Sequence, residues 1–477
     1  MTMRTSNSRN LNIYRILFAF LALAMLSACD SSENLGGPRR ITYWEKWSGF
    51  ESEAAEKVVA RFNEIERTKA KSESGYRPIE VKYVSVARIE QKLLVAIAGG
   101  NPPDVAGAYT LMLYPYVDKG AVLDLTPMLK KAGISRDQFL PSVWDLGRYH
   151  GRQWALPTTP ATTALHWNRR LFSEAGFDPD IAPRTIEELD HYAERMTKWE
   201  VIGPNGASEI RTGYCPEIPD ENKRLLQVGF LPSEPNWWNY AWGNYFGGDL
   251  MSDTGEVTTL SPENIRAYEW VASFSRKLGV QNVQRFVSGF GNFSSPQNAF
   301  MSGKIAMEIQ GVWMYNFIEN YAPGMKWGVA PFPHPEKSPQ LQSTTFVDAD
   351  LIMIPKGSAN PDEAFEFIKY LMSQEGMELL CLGHRKFSSL IAVSENFYRD
   401  HPHPYIRIFR DLALSSNRVS SSKTGIWAEY RREMSNAVGR IQNLNVSPRD
   451  GLTEVQSRIT NAEQRNQMML TRRGLSK

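Results

Sequence analysis

The amino-acid sequence predicts an α/β protein, and its N-terminal part carries the pattern. A short strand is predicted over residues 41–44, and apolar residues alternate with polar ones over residues 79–83, as in a second strand. Between these strands, apolar residues recur at helical spacing: Ala55, Val58, Phe62 and Ile65. Another helix over residues 88–98 precedes a third strand that begins near Val105. Strands that alternate with helices predict a parallel sheet covered by helices.

Length and composition predict a globular protein with more than one domain. The 477 residues exceed what one compact core holds, which favours two or three domains. A hydrophobic content of 42% and a charged content of 22% are ordinary for a folded chain and exclude a disordered one. No basic run resembles a nucleic-acid-binding stripe, and we therefore predict no nucleic-acid partner.

The C-terminal part adds a strand and several helices. A strand is predicted over residues 346–354, and it carries Asp348 and Asp350. A helix begins at residues 360–363, where a cap residue, a proline and an acid follow one another at the positions typical of a helix start. A last amphipathic region begins at Trp427. These elements extend the α/β pattern to the end of the chain.

Residues 234–248 form the most aromatic window of the chain. Helical spacing places Trp238, Trp242 and Tyr245 on one side, which favours packing in the core. Alternatively, at least one of the three tryptophans (Trp237, Trp238 and Trp242) lies on the floor of a ligand site. The sequence leaves both interpretations open.

The stretch from residue 299 to residue 317 changes its period three times, and it is the strongest functional signal. A helical end stops at Gly303, and Ile305, Met307 and Ile309 then alternate with other residues as in a short strand. Gly311 follows, and a new helix begins with Trp313 in its first turn. A strand that enters a helix through a glycine leaves backbone N–H groups free for a ligand. A tryptophan beside such donors suits a sugar ring, which has polar edges and an apolar face.

This stretch resembles a segment of the extracellular solute-binding proteins of the family-1 type, the ligand-capturing subunits of ABC importers for sugars. The shared pattern is F-x-x-G-K-x-A-M-x-x-x-G-x-W, which runs here from Phe300 to Trp313. Further looser matches follow in the family's order; they lie at residues 100–105, 149–157, 165–172 and 327–335. The resemblance covers roughly residues 41–464. It implies a two-lobed periplasmic-binding-protein fold (type II-like), in which each lobe is a sheet covered by helices and crossing segments form a hinge.

The N-terminal residues predict export and lipidation. Three arginines precede an apolar run over residues 16–26, which is too short to span a bilayer core of about 30 Å. The run ends in Leu-Ser-Ala-Cys at residues 26–29, which resembles a bacterial lipobox with Cys29 as the lipidated residue. Asp30 resembles the signal that retains lipoproteins on the inner membrane of Gram-negative bacteria. Ordinary secretion with an incidental cysteine is the alternative.

These observations together predict the domain organisation. The predicted segments are a lipoprotein signal peptide over 1–28, a polar tether over 29–40, lobe 1 over 41–155 and 329–375, and lobe 2 with the C-terminal helices over 156–328 and 376–477.

Candidate ligand-binding residues follow from the ends of predicted strands and from the resemblance, because open α/β sheets bind ligands at the carboxyl ends of strands. We expect stacking against the ligand from the aromatic side chains Trp44, Tyr109, Trp242 and Trp313. Glu45 and Asp348 are predicted to accept hydrogen bonds from hydroxyl groups, and Gly311 to donate one from its backbone. Packing in the core is the alternative role for the aromatic residues.

Catalytic and metal-binding motifs are missing from the sequence. It contains no Gly-x-Ser-x-Gly, Walker, His-Glu-x-x-His or Cys-x-x-Cys pattern, and we predict a non-enzyme without cofactor or metal. His401 and His403 lie among prolines and are expected at the surface. The sequence does not decide whether Cys215 and Cys381 form a disulfide, although two separate cysteines are favoured.

The resemblance implies a lipid-anchored, extracytoplasmic substrate-binding component of an ABC importer. We expect a monomer at the periplasmic face of the inner membrane that captures a carbohydrate by hinge closure and delivers it to permease subunits. A sensory or adhesion lipoprotein of the same fold is the alternative, and the sequence does not separate the two. It also does not distinguish a sugar from a polyol or a glycerophosphodiester.

Overall fold

A computed structural model describes residues 37–252, 254–292 and 294–472 of the protein. The predicted signal peptide, the lipidation site at Cys29 and residues 29–36 of the predicted tether lie outside the described residues. Among the described helices, none is both long and apolar enough to cross a membrane. Within the described residues, the chain divides into two compact units: residues 37–40 with 63–80, and residues 41–62 with the described part of 81–472.

In the smaller unit, the carboxylate of Glu66 holds several groups together. It accepts hydrogen bonds from the Tyr76 hydroxyl at 2.6 Å and from the backbone N–H of Ile79 at 3.0 Å. It also forms an ion pair with Lys69 at 2.8 Å. Burial raises the pKa of this carboxyl, but the hydrogen bonds outweigh burial and leave the pKa lowered. Glu66 is therefore a structural anchor of this unit.

The described residues form α-helices and β-strands, which alternate regularly only near the N-terminus. In chain order, the helices are α1 (Phe50–Ser72), α2 (Ile89–Ala98), α3 (Thr110–Asp118), α4 (Thr126–Ala132), α5 (Pro141–Trp144), α6 (Arg169–Glu174), α7 (Ile186–Arg195), α8 (Pro262–Leu278), α9 (Val280–Val287), α10 (Met314–Tyr321), α11 (Pro361–Leu371), α12 (Gln374–His384), α13 (Glu395–Arg399), α14 (Ile406–Ala413), α15 (Trp427–Gln442) and α16 (Pro448–Arg472). The strands are β1 (Arg39–Glu45), β2 (Ile79–Ser85), β3 (Val105–Tyr109), β4 (Arg148–Tyr149), β5 (Arg152–Gln153), β6 (Leu156–Asn168), β7 (Lys198–Ile202), β8 (Ser208–Thr212), β9 (Lys223–Phe230), β10 (Ile305–Gly311), β11 (Trp327–Ala330), β12 (Thr345–Met353) and β13 (Arg418–Val419).

The main sheet follows the order β2-β1-β3-β12-β6-β10-β9-β7-β8, with β11 beside β6 and β13 beside β12. β1 and β3 pair in parallel, as the alternating pattern predicts. β12 pairs antiparallel with both β3 and β6, so the whole sheet is mixed rather than parallel. The difference arises because β12 comes from a distant part of the chain and inserts between two earlier strands.

The long strand β6 changes its neighbours along its length. Its first half pairs with β12, from Leu156 opposite Ile352 to Thr162 opposite Val347. Its second half pairs with β10 on one side and with β11 on the other. All 13 of its residues are buried. β6 thus connects the strands paired with its first half to the strands paired with its second half. The lobe boundaries at residues 156, 329 and 376 stay a prediction.

Two hydrophobic clusters support this arrangement in the larger unit. The first includes Leu93 and Leu113 beside Leu351 of β12. The second includes Leu189 and Phe230 together with residues of α15 and α16. Burial of such side chains contributes roughly 1.5–3 kcal/mol each to folding, before the loss of chain entropy is considered. Both clusters draw on residues far apart in sequence.

Local predictions for residues 299–317 agree with the structure in part, because residues 299–303 form turns rather than the end of a helix. Gly303 has a φ of 72°, β10 covers the predicted strand, and α10 begins directly after Trp313. The expectation for the two histidines is wrong, because His401 and His403 are both buried. His403 packs against aromatic rings, so neighbouring prolines did not indicate exposure. Cys215 and Cys381 are buried free cysteines.

Candidate ligand-binding site

A cavity of about 720 Å³ lies in the larger unit, which is within the size range of small-molecule sites. It is lined by residues at the ends of β1 and β3, by residues within β6 and β12, by the loop before residue 240, and by the first halves of α10 and α15. Its aromatic lining consists of Trp47, Tyr109, Trp237, Trp238, Tyr240, Trp313, Phe317 and Trp427. Its charged lining consists of Lys46, Glu51, Asp348, Asp350, Lys386, Arg431 and Arg432.

Three tryptophans form what we name the aromatic wall: Trp237, Trp238 and Trp313. The ring centroid of Trp313 lies 5.5 Å from that of Trp237 and 5.7 Å from that of Trp238, with interplanar angles of 37° and 33°. The indole N–H of Trp313 donates to Oε1 of Gln310 at 3.1 Å, which fixes the orientation of the ring. The wall therefore presents an oriented apolar surface, which is the chemistry that a sugar ring face requires.

Gly311 makes room for the aromatic wall. A Cβ atom at this position would lie 2.4 Å from the ring of Trp313. The ring consequently lies directly over the end of β10, and any side chain at residue 311 would displace it. The backbone N–H of Gly311 donates to Oε1 of Gln310 at 3.0 Å.

A second group, which we name the ion-pair cluster, consists of Lys46, Asp350, Lys386 and Glu45. One oxygen of Asp350 lies 3.0 Å from the ammonium of Lys46, and the other lies 3.1 Å from that of Lys386. Lys46 also pairs with Glu45 at 2.9 Å. Each charge in the cluster therefore has an opposite charge within hydrogen-bond distance.

The pKa values in the ion-pair cluster reflect this pairing. Burial raises the pKa of the Asp350 carboxyl, but Lys386 and Lys46 outweigh it and hold the pKa well below its ordinary value. Burial lowers the pKa of each lysine, yet Asp350 outweighs it, so both pKa values are raised. Both lysines and Asp350 are charged at neutral pH, and they form a rigid polar surface of the cavity.

Asp348 offers a free acceptor to the cavity. Its Oδ1 accepts a hydrogen bond from the Thr110 hydroxyl at 2.5 Å and one from the backbone N–H of Ala349 at 2.8 Å. Its Oδ2 has no hydrogen-bond partner within the part of the chain that the structure describes. Burial raises the pKa of this carboxyl, and the bond from Thr110 opposes the shift. The residue can accept a hydrogen bond from a ligand hydroxyl.

A family model of bacterial extracellular solute-binding proteins matches residues 57–390 of the chain. This match covers more than half of the 477 residues. The chain belongs to this family. Members of the family act outside the cytoplasm, as its description states.

Curated relatives of this solute-binding protein include proteins with different ligands. The maltotriose-binding protein of Pyrococcus abyssi is 23% identical over 297 residues, which is 61% of this chain and 55% of that protein. The sn-glycerol-3-phosphate-binding periplasmic protein UgpB of Salmonella typhimurium is 27% identical over an alignment 318 residues long, which covers 57% of this chain and 66% of that protein. The solute-binding protein thus spans less than two thirds of the length of these relatives.

Solved structures confirm the predicted fold class, the α/β two-lobed periplasmic-binding-protein fold. CpMnBP1 with mannobiose bound aligns with a TM-score of 0.71 and 25% identity, and the alignment covers 88% of this chain and 98% of that one. Lmo0181 of Listeria monocytogenes in complex with cycloalternan aligns with a TM-score of 0.67 and 19% identity over 89% and 99% of the two chains.

The cavity of the solute-binding protein brings together three of the residues predicted from sequence. Tyr109, Trp313 and Asp348 line it. They come from the end of β3, the start of α10 and the middle of β12. Contact with a ligand stays a prediction for all of them.

The other four predicted residues lie outside the cavity lining. Trp44 packs against the first hydrophobic cluster. Glu45 is fully buried behind Lys46, and Tyr43 donates a hydrogen bond to it at 2.8 Å. Trp242 is 3% exposed and packs among aromatic rings of the second cluster. Gly311 lies beneath the ring of Trp313, and its N–H is already bonded to Gln310.

Several lining residues were missed by the sequence analysis. Lys46 and Trp47 directly follow the predicted contact residues Trp44 and Glu45. The residues that line the cavity after β1 therefore lie two positions later in the chain than predicted. Asp350 lies two residues after Asp348 on the same face of β12, a period-two signal that the sequence carried. Lys386 and the arginines of α15 gave no local signal, because only the chain topology brings them to the cavity.

Proposed function

We propose that this protein is the extracytoplasmic ligand-binding component of an ABC importer and that it captures a carbohydrate in the cavity. The observation that carries the proposal is the aromatic wall, whose three indole rings lie in one cavity with the ion-pair cluster and Asp348. Family membership and the sugar-bound structural relatives support the same conclusion.

The cavity provides both kinds of contact that a sugar needs. The aromatic wall packs against the apolar C–H face of a ring. Asp348 accepts a hydrogen bond from a hydroxyl group, and the ammonium groups of Lys46 and Lys386 donate to hydroxyl oxygens. Each ligand hydroxyl that enters the cavity without a partner would cost about 1–3 kcal/mol, so polar groups of both types are required.

Ligand capture is proposed to proceed by hinge closure. β6 and β12 carry the pairings through which the two predicted lobes join, and a few residues in such crossings can absorb a change in backbone angles. Closure would bring polar and aromatic residues onto both faces of the sugar and exclude water. A lipid on Cys29 would tether the protein to the membrane beside its permease subunits.

Trp313 tests the proposal directly. A thermal-shift and titration-calorimetry panel of mono- and oligosaccharides should contain a ligand that raises the melting temperature of the wild-type protein. Trp313→Ala should weaken the binding of that ligand by about 2 kcal/mol or more, which is a roughly thirtyfold loss of affinity, as for other tryptophans at binding hot spots. Trp313→Phe keeps an aromatic ring, and its affinity for the ligand should lie between those of the wild type and of Trp313→Ala.

Tyr321→Ala is the matched control, because Tyr321 lies on α10 as well but is 46% exposed and does not line the cavity. Its affinity should equal that of the wild type. Unchanged affinity in a folded Trp313→Ala protein would refute the placement of the site. Stimulation of a reconstituted transporter ATPase by the ligand-loaded protein would distinguish import from a sensory or adhesion role.

A further inference from the structure

The cationic side chains that line the cavity fall into two groups with different partners. In the ion-pair cluster, Lys46 and Lys386 share the carboxylate of Asp350. Arg431 and Arg432 line the same cavity, but their guanidinium groups form neither an ion pair nor a hydrogen bond with any residue that the structure describes. Neither arginine therefore has an ion-pair partner among the residues that the structure describes.

The position of the two arginines on α15 points them at the cavity. The helix contributes five lining residues at spacings of three and four, which places them along one side: Trp427, Ala428, Arg431, Arg432 and Ser435. Arg431 is half-buried and Arg432 is exposed. By contrast, Arg440 lies on the same helix outside the cavity and forms two hydrogen bonds with Glu454, at 2.8 and 3.2 Å.

We propose that the ligand carries an anionic group, a carboxylate or a phosphate, and that Arg431 and Arg432 bind it. This assignment rests on the proposed function, since it names the ligand class of the same cavity. A guanidinium presents a planar fork of donors that matches carboxylate and phosphate oxygens, and it binds them in a bidentate manner. The lysines of the cavity cannot take this role to the same extent, because Asp350 already compensates both.

The cavity then contains two subsites that bind different parts of the ligand. The aromatic wall and the free Oδ2 of Asp348 hold a polyhydroxylated part, and the arginine pair holds the anion. A uronic-acid sugar and a phosphorylated sugar or glycerol both meet this description. Their shared chemistry is an anion attached to a hydroxyl-bearing carbon skeleton, and the experiment separates the two sources.

Matched pairs of ligands test the assignment. Titration calorimetry on the full folded protein compares an oligogalacturonide with the corresponding neutral galactooligosaccharide, glucuronic acid with glucose, and glycerol 3-phosphate with glycerol. We expect the anionic member of at least one pair to bind about tenfold to hundredfold more tightly, as charge-assisted hydrogen bonds allow. The affinity of that member should fall as salt rises, because the contact is electrostatic.

Three variants separate charge from geometry. The Arg431→Gln, Arg432→Gln double variant should lose the preference for the anion and bind both members of the pair equally. Arg431→Lys keeps the charge but not the planar fork, and it should retain part of the preference. Arg440→Gln is the control on the same helix, and its preference should match the wild type.

The possible results distinguish the two proposals. Binding of neutral sugars with equal or better affinity than anionic ones, unchanged in the double variant, would overturn the anion assignment and leave the proposed function in place. An anion preference that survives the double variant would also overturn the assignment of the two arginines. Failure of every probe to bind the wild-type protein would overturn both.

Discussion

The aromatic wall lines the same cavity as Lys46, Asp350 and Lys386 of the ion-pair cluster, but the acids near these two regions differ in their pKa values. Asp350 lies between two lysines, which hold the pKa of its carboxyl well below the ordinary value despite burial. Glu308 lies on β10, which leads to Trp313, and Glu234 precedes Trp237 by three residues. Burial raises the pKa of Glu308 to about 8, with Glu234 adding to the rise, and burial raises that of Glu234 to about 7.

The difference shows that partners rather than burial decide the charge of a buried acid. Asp350, which lies between Lys46 and Lys386, stays ionised and organises a polar surface of the cavity. The pKa of Glu308, about 8, keeps this acid largely protonated at neutral pH, whereas the pKa of Glu234, about 7, leaves that acid partly ionised. The cavity thus has a charged polar part, while β10, the strand that leads to Trp313 of the aromatic wall, buries an acid that is largely protonated at neutral pH.

Removing the central acid of the ion-pair cluster should have the largest effect. Asp350→Asn leaves Lys46 and Lys386 buried without their shared counter-charge. Breaking a buried pair in this way costs about 3–5 kcal/mol of the free energy of unfolding. Urea unfolding followed by circular dichroism measures the loss.

Asp411→Asn serves as the control for that measurement. Asp411 is an exposed acid whose side chain is 70% accessible, and its neighbour Arg410 lies at 3.5 Å. Its replacement should change the free energy of unfolding by no more than about 0.5 kcal/mol. If Asp350→Asn changed the free energy of unfolding as little as this control does, Asp350 would not stabilise the charges of the two lysines. The contrast between Asp350 and Glu308 would then not hold.

A methyl group at Gly311 should affect the aromatic wall instead. Gly311→Ala places a Cβ against the ring of Trp313, so the ring must move or the strand must shift. Overpacking of this kind costs about 1–3 kcal/mol, and the displaced ring should also weaken ligand binding. Calorimetry and thermal unfolding of the same preparation measure both effects.

Gly324→Ala is the matched control for the glycine, because a Cβ there would meet no atom within 4 Å. We expect unchanged affinity and stability in this variant. A Gly311→Ala protein with full affinity would mean that the aromatic wall tolerates movement. Ligand recognition would then not depend on how the ring of Trp313 packs against Gly311.

The sequence predicts the local parts of this site better than its long-range parts. Gly303, β10, Gly311 and Trp313 follow one another within a few residues, so their period changes identify a strand, a turn and a helix start. Lys386 and Arg431 carry no such signal, because pairing of β12 with β3 and β6 and packing of α15 bring them to the cavity. No periodicity along the chain encodes these contacts.

The aromatic window contains core residues and cavity-lining residues within a few positions of one another. Helical spacing of about 3.6 residues per turn grouped Trp238, Trp242 and Tyr245. Residues 239–246 instead form a 3-10 helix with about three residues per turn, so Trp242 and Tyr245 share a buried face. Trp237 and Trp238 precede this helix and line the cavity. The alternative in which a tryptophan of this window faces a ligand therefore remains a proposal for these two residues.

The last prediction concerns Glu308, the buried acid on β10, and its effect is the smallest when it is counted per pH unit. The folded-state pKa of Glu308 is about 8, above the value of 4.5 for an unperturbed glutamic acid. Between these values the unfolded chain loses the proton while the folded protein keeps it, so the free energy of unfolding falls as pH rises, by up to about 1.4 kcal/mol per pH unit. The stabilisation is complete below pH 4.5 and is lost as pH passes about 8.

Glu308→Gln removes this titration while keeping the size of the side chain. Melting temperatures from pH 5 to pH 8.5 should decline less steeply in the variant than in the wild type, so the variant gains relative stability towards high pH. Glu366→Gln, an exposed acid paired with Lys369, should keep the wild-type slope. Parallel curves of melting temperature against pH for the wild type and Glu308→Gln would show that Glu308 is ionised in the folded protein. Glu308 and Asp350 would then not differ in their charge at neutral pH.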